Sequence, residues 1–369
     1  MPFSCSMAVH SRLRLTLLLI LFMLSSGCGS TIPEIAPTAQ PSTAQPPTAQ
    51  PRTAQPSSNR SADGQLAQRL ANEVSDAGAF VHLEALQGIA DENGGHRASS
   101  SPGYESSVDY VVGVLRAAGY DVSTPTYVPE NEGGGGGRPL RNVIAQTRSG
   151  DPNSVVMIGA HLDSVEDGPG IVDNGSGVAT LLEIANQLGP SAPIRNALRF
   201  AFFGSEEDGS VGSTAYVGSL SADDRRKILL YLNVDMVASP NAGYFAQGGL
   251  GDDRSESGPP GSGTVARILA DELAKTGVTP EIIKFVGDDE SPFIDADIPS
   301  GGAENGDAEV KTDQQARAWG GEAGEKYDRC FHEACDGLGN VNRVVLNHYL
   351  HAIAGTLAYF ATSSDRPSG

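Results

Sequence analysis

Side chains able to bind a divalent metal stand at the ends of apolar, β-prone runs in the middle of the chain. V-V-M-I-G-A-H at 155–161 ends in His161, A-F-F-G-S-E-E at 201–207 in Glu206 and Glu207, and Y-L-N-V-D at 231–235 in Asp235. Asp173 lies in the Gly-rich turn G-I-V-D-N-G-S-G at 170–177. Imidazole and carboxylates at the ends of buried strands are the donor set of a divalent-metal hydrolase. Two ions held close together need a bridging carboxylate, terminal His or carboxylate ligands, and room for water. His161, Asp173, Glu207, Asp235 and, far downstream, His332 supply such a set. Asp163, two residues past His161, is placed to accept the other ring N–H of that histidine and fix its tautomer. Glu206 and Glu207 are neighbours and point in different directions. One can bind metal while the other stays free as a general base.

The elements that must position these residues follow from periodicity. Leu66, Leu70 and Val74, then Val81, Leu83, Leu86 and Ile89, have helical spacing up to the Gly94-Gly95 break. Val108, Val111, Val112, Leu115 and Ala118 form a second stripe, stopped by Gly119. Strands are predicted at 121–128, 140–146, 154–160, 197–203, 228–235, 243–247 and 281–286. Further helices are predicted at 177–188, 212–220, 265–275 and 341–361. This alternation implies an α/β protein, a three-layer α/β/α sandwich around a central mixed, mostly parallel sheet. The C-terminal ends of such strands are where α/β sites sit, and His161, Glu206, Glu207 and Asp235 fall there. The glycines at 133–137 lack the Lys and Ser/Thr of a P-loop and read as a surface loop.

Composition narrows the partners. The 369 residues carry 45 Asp and Glu against 25 Lys and Arg, a formal charge of −20. That balance excludes nucleic-acid or anionic-membrane binding through a basic face. A membrane is reached only through the N-terminus, where His10, Arg12 and Arg14 precede the apolar run Leu15–Leu24 and S-S-G-C-G-S. That apolar run is too short to span a bilayer, and residues 1–28 have signal-peptide anatomy that implies export to the cell surface or beyond. L-S-S-G-C resembles a bacterial lipobox that would make Cys28 the lipidated N-terminus, although Ser25 stands where Leu is usual. Plain signal-peptidase cleavage stays open.

Residues 29–62 hold four copies of T-A-Q-P. Proline at this frequency blocks helices and ladders, so the segment reads as a tether, on the order of 100 Å long at about 3.1 Å per residue. Residues 63–365 then form a single catalytic domain of about 300 residues, near the upper limit for one hydrophobic core. In an exported chain Cys330 and Cys335 are expected to pair as a disulfide, two free thiols being the alternative. A monomer is expected.

In order along the chain, G-A-H-L-D-S-V, G-I-V-D-N-G-S-G, F-F-G-S-E-E, Y-L-N-V-D-M-V and C-F-H-E-A-C-D resemble the co-catalytic di-zinc aminopeptidases of metallopeptidase family M28. The compact secreted bacterial enzymes of leucyl type are especially similar. S-P-N-A-G-Y-F at 239–245 and A-R-A-W-G-G at 316–321 also look alike, so the resemblance spans about residues 65–362. It implies two zinc ions bridged by Asp173, with His161 and Asp235 completing one site and Glu207 and His332 the other. It implies that Glu206 takes a proton from a metal-bridging water and returns it to the leaving amine. The substrates would be peptides with a free N-terminus. A cis peptide after the bridging residue, here Asp173–Asn174, is frequent in the family.

The chain also departs from the family pattern. Phe331 stands where these enzymes carry a Tyr whose hydroxyl helps stabilise the oxyanion, and losing one such donor typically costs about 100- to 1,000-fold in rate. G-D-D-E-S-P-F at 287–293 replaces the usual Ser-Asp followed by His or Tyr. That change puts Asp288, Asp289 and Glu290 along the substrate cleft and points to basic N-terminal residues. Asn347 and His351 stand where some relatives carry calcium-binding acidic residues. His82, His96, His348 and His351 read as packing or surface residues, and Trp319 as a loop anchor or a neighbour of the site. Two other readings stay open: carboxypeptidase or dipeptidase specificity on the same fold, and an inactive zinc-binding homologue acting as a peptide receptor.

Overall fold

The computed structural model describes residues 62–129 and 137–368. The leader, Cys28, the T-A-Q-P tether and the glycines at 133–136 lie outside the described residues. Helices α1 (Ala62–Glu73), α2 (Asp76–Glu92) and α3 (Pro102–Ala117) come first. Ser75 and Ser101 cap the second and third by accepting the amides of Gly78 and Tyr104, donors that a helix start leaves open. Strands β1 (Asp121–Ser123), β2 (Thr126–Tyr127), β3 (Leu140–Arg141), β4 (Val143–Gln146) and β5 (Asp151–His161) follow. Next are α4 (Gly175–Leu188), β6 (Asn196–Phe203), α5 (Val211–Ser219), α6 (Ala222–Lys227) and β7 (Ile228–Val234). Then come β8 (Phe245–Gln247), α7 (Arg254–Ser257), α8 (Ser262–Lys275) and β9 (Glu281–Ile283). The chain ends with α9 (Ser291–Asp295), β10 (Ser300–Glu304), α10 (Asp313–Trp319) and α11 (Arg343–Thr362).

Eight strands form one sheet in the order β1-β4-β6-β5-β7-β10-β8-β9, and β2 pairs with β3 apart from it. The pairs β6–β5, β5–β7, β7–β10 and β8–β9 are parallel and the rest antiparallel, so the sheet is mixed with a parallel centre. Successive residues of its central strands enter opposite cores, as a sheet covered on both faces requires. Val156, Ile158, Phe200, Phe202, Leu230 and Leu232 pack in the larger core with residues of α1–α4, α8 and α11. Met157, Ala201, Phe203 and Tyr231 pack on the other side with Tyr216 and Val217 of α5 and Phe293 of α9. The three-layer α/β/α architecture is therefore present.

Two elements differ from the periodicity reading. The strand predicted at 121–128 is broken at Pro125, which has no N–H for a ladder. β1 joins the main sheet beside β4, while β2 leaves to pair with β3. Conversely, no strand is predicted at 300–304, where β10 lies parallel to β7. Its S-G-G-A-E sequence offers no apolar pattern to read. The glycines are dictated by close packing: a Cβ on Gly301 would lie 2.5 Å from a Val265 methyl, and one on Gly302 2.6 Å from Gln247 Oε1.

Candidate metal centre

Parallel pairing brings the ends of β6, β5 and β7 level, with His161 registered on Phe203. His161 closes β5, Asp235 directly follows β7, and the turn after β6 carries Glu206 and Glu207. Asp173 precedes Asn174, whose side chain caps α4 by accepting the Gly177 amide and donates to the Val234 carbonyl. The Asp173–Asn174 peptide is cis. Ser205 (φ +56°), Met236 (φ +45°) and His332 (φ +59°) have left-handed backbone without being glycine. Such conformations collect at functional sites, where the surrounding structure holds them.

The five candidate ligands meet as two groups that share Asp173. His161 Nε2 lies 3.1 Å from Asp173 Oδ1 and 3.4 Å from Asp235 Oδ1. His332 Nε2 lies 3.1 Å from the other Asp173 oxygen, Oδ2, and 3.0 Å from Glu207 Oε2. Within each group the facing donor atoms lie within 4.8 Å of one another. Among the described residues Glu207 Oε1 and Asp235 Oδ1 are buried and accept no hydrogen bond, Asp235 Oδ1 having only the 3.4 Å charge contact with His161. Buried carboxylate oxygens without a hydrogen bond are costly, and a divalent cation offsets that cost. Two imidazoles and three carboxylates are also a donor set that zinc accepts, so these residues fit the metal that the resemblance implies.

The electrostatics follow from burial and close charges. Burial pushes Glu206 up to about 8 and Glu207 up to about 7. Hydrogen bonds to Asp173 and Glu207 raise His332 to about 10. For His161 burial acts downward, but Asp235, Asp163 and Asp173 outweigh it and hold the imidazole well above its ordinary value. Burial acts upward on Asp173, yet the bonds from His161 and His332 bring it below the usual carboxylate range. Both histidines are thus biased toward the charged imidazolium without metal, and a ligand imidazole must be neutral. Zinc added at pH 7 is therefore expected to release protons from the imidazoles and from Glu207, which burial raises to about 7, and affinity should fall as the pH drops. Alkali uptake in a pH-stat checks this, and no uptake would mean that the imidazoles were already neutral.

Asp163 has a task beyond the one its spacing suggests. Its carboxylate stands 3.7 Å from His161 Nδ1, a charge contact, while its backbone carbonyl lies nearer, at 3.2 Å. The carboxylate also accepts the amides of Glu206 (3.2 Å) and Glu207 (3.3 Å) and the Ser99 hydroxyl (3.1 Å). It orients the glutamate pair. A disulfide joins Cys330 and Cys335 around His332. Asp336, the next residue, accepts the amides of Val172 (2.9 Å) and Asp173 (3.0 Å), tying the His332 loop to the backbone of the shared carboxylate. Nothing in the sequence singles out Asp336, because its partners are backbone amides far along the chain.

The candidate ligands and Glu206 line a cavity of about 300 Å³ with Gly209, Met236, Val286, Asp288, Glu304, Asp307 and Phe331. Of the acidic run only Asp288 reaches it; Asp289 (1 % exposed) and Glu290 (0 %) are buried outside its lining. Glu290 accepts the amides of Gly287 and Asp288 and shapes the turn. Glu304 and Asp307, which the sequence reading missed, sit at and just past the end of β10, the strand it also missed. Phe331 stacks on the His332 ring at 3.8 Å between centroids and brings no hydroxyl. A larger hollow of about 610 Å³, beside Arg225, Ile298 and Pro299, holds neither metal-ligand group. His82 bonds Tyr110, His348 bonds Thr276, and Trp319 donates to the Thr279 carbonyl while packing on Phe245. None of the three lines the cavity that holds the candidate ligands.

A mixed α/β sheet whose parallel strand ends gather two facing imidazole–carboxylate groups has the architecture of the zinc-dependent peptidases. Residues 142–357 match the model of peptidase family M28, and the chain belongs to that family. It is 40% identical over 302 residues to leupeptin-inactivating enzyme 1 of Streptomyces exfoliatus, covering 80% of this chain and 64% of that protein. It is 32% identical to the probable lipoprotein aminopeptidase LpqL of Mycobacterium tuberculosis, covering 84% of this chain and 90% of that one. The chain thus spans less than two-thirds of the Streptomyces relative's length. The aminopeptidase from Aneurinibacillus sp. strain AM-1 shares the fold, with a TM-score of 0.63 at 16% identity over 82% of this chain and 98% of that one. Among the described residues no helix is long and apolar enough to cross a membrane.

Proposed function

We propose that the chain is an exported di-zinc aminopeptidase that removes N-terminal residues from peptides. The observation that carries this reading is Asp173, which offers one oxygen to the His161–Asp235 group and the other to the His332–Glu207 group. Glu206 lines the same cavity, belongs to neither group, and its carboxylate accepts the Ser210 hydroxyl at 3.0 Å. His161, Asp173 and Asp235 would hold one ion, and Asp173, Glu207 and His332 the other. Zinc bound there supplies Lewis acidity, polarising the scissile carbonyl and lowering the pKa of water. Glu206 takes the proton of the attacking water and passes it to the leaving amine. In the metal-free chain burial lifts Glu206 to about 8, and nearby cations act downward on it, toward the range of a base that returns its proton near neutral pH. Asp163 holds Glu206 and Glu207 in their separate tasks through their amides.

Family membership and two aminopeptidase-named relatives and neighbours support exopeptidase chemistry. A peptide digest tests it: a free N-terminus should be shortened one residue at a time, and an N-acetylated copy left intact. Loss of C-terminal residues would move the reading to the carboxypeptidase alternative. Zinc binding without any hydrolysis would move it to the peptide receptor. The division into leader (1–28), tether (29–62) and catalytic domain (63–365), the Cys28 anchor and the monomeric state belong to the same proposal. A relative named as a probable lipoprotein supports the anchor.

The cleft chemistry favours basic first residues. Asp288, Glu304 and Asp307 line it, and among the described residues no Lys or Arg does. Burial raises Glu304 to about 8 and holds Asp288 well above the ordinary carboxylate range, so an incoming Lys or Arg side chain restores their charged forms. Lysyl p-nitroanilide should therefore be cleaved with higher kcat/KM than the leucyl compound. The ratio should fall about tenfold in Asp288→Asn, the loss of one charge-assisted contact. A leucyl preference in the native chain would sink this part of the reading.

A further inference from the structure

Arg97, in the turn between α2 and α3, is fully buried, an expensive place for a guanidinium, and the proposed chemistry leaves it without a task. Its three nitrogens reach three carbonyls of one loop. Nη1 donates to Leu162, Nε to Pro169 at 3.0 Å and Nη2 to Gly170 at 2.5 Å. Its backbone N–H donates to Ser164 Oγ at 2.9 Å, inside the same loop. Leu162 follows His161 directly, and Gly170 lies three residues before Asp173. One rigid guanidinium plane thus spans the loop that joins a terminal ligand to the shared one.

The loop is drawn tightly onto it. Gly170 has φ +63°, and a Cβ there would lie 2.4 Å from Ser164 Cβ, 2.5 Å from the Asp173 carbonyl and 3.0 Å from Arg97 Nη2. The charges of Asp163, Asp336, Asp173 and Glu207 all act on the guanidinium. Ser99, two residues on, donates to the Asp163 carboxylate that holds the glutamate amides.

We propose that Arg97 is a positioning residue of the metal centre: its planar fork sets the spacing between His161 and Asp173, and its fixed charge lets the acidic ligands assemble before metal arrives. The inference rests on the metal reading, but its test separates the two. Lysine keeps the charge and loses the fork, so it cannot reach three separated carbonyls. Zinc affinity of the full chain is measured by competition with a chromophoric chelator, alongside the melting temperature of the metal-free protein. Arg97→Lys should weaken zinc binding by about ten- to a hundredfold, the effect typical of groups that orient ligands. Excess zinc should restore its kcat, with KM close to native. A purely structural role would lower the melting temperature and leave zinc affinity at the native value, which would overturn the proposal. If Arg97→Lys does not fold, Arg97→Gln decides: it keeps a planar amide donor but loses both the charge and the three-armed fork. Severalfold weaker zinc binding supports the proposal, and unchanged binding overturns it. A native chain that binds no zinc would sink the metal reading itself.

Discussion

Glu206→Gln is expected to lower kcat by about 10²- to 10⁴-fold while leaving zinc content and KM near native values, the usual share of a positioned general base. The amide keeps the size of the side chain and can still accept the Ser210 hydroxyl, but it cannot carry a proton from water to amine. Because Glu206 lies outside both ligand groups, the substitution removes no metal donor. Steady-state kinetics and elemental analysis on the same sample check both halves. A variant that lost zinc together with activity would place Glu206 among the ligands instead.

Asp173→Asn should be more destructive, because it damages both groups at once. Each Asp173 oxygen faces a different histidine at 3.1 Å. In the variant one of those positions becomes an NH₂ group, which cannot donate a lone pair to a metal, and the shared negative charge is gone. Removing one partner from a buried charged set costs about 3–5 kcal/mol, or roughly two to four orders of magnitude in affinity. Dialysed protein should therefore retain far less than one zinc per chain and show no measurable hydrolysis. Asp235→Asn, which touches only the His161 group, should retain the other ion. Full zinc content in Asp173→Asn would show that the two groups do not share this carboxylate.

Much of this candidate centre is legible in the sequence because its candidate ligands sit where strands end. His161, Glu207 and Asp235 terminate apolar runs, and parallel pairing of β6, β5 and β7 leaves those ends nowhere to go but together. Asp173 and His332 are legible through their surroundings, a Gly-rich turn before a helix and a pair of cysteines. The missed features have in common that backbone or packing, not side-chain pattern, defines them. β10 is written in glycine because Val265 and Gln247 leave no room for a Cβ, so its Glu304 could not be placed in the cleft. Arg97 and Asp336 serve backbone carbonyls and amides far along the chain, contacts that leave no periodic trace. Asp163 is legible through its spacing from His161, but its hold on the Glu206 and Glu207 amides is not, because those are backbone contacts 43 and 44 residues on. The acidic run 288–290 divides because Glu290 turns inward to accept the amides of Gly287 and Asp288, leaving only Asp288 facing the cavity.

The central claim is that one carboxylate joins two metal positions. Anomalous diffraction at the zinc edge, from crystals of the zinc-loaded chain, tests it most directly. Two zinc peaks are expected, one among His161, Asp173 and Asp235 and the other among Asp173, Glu207 and His332. A single peak, or a second one away from Asp173, would contradict it.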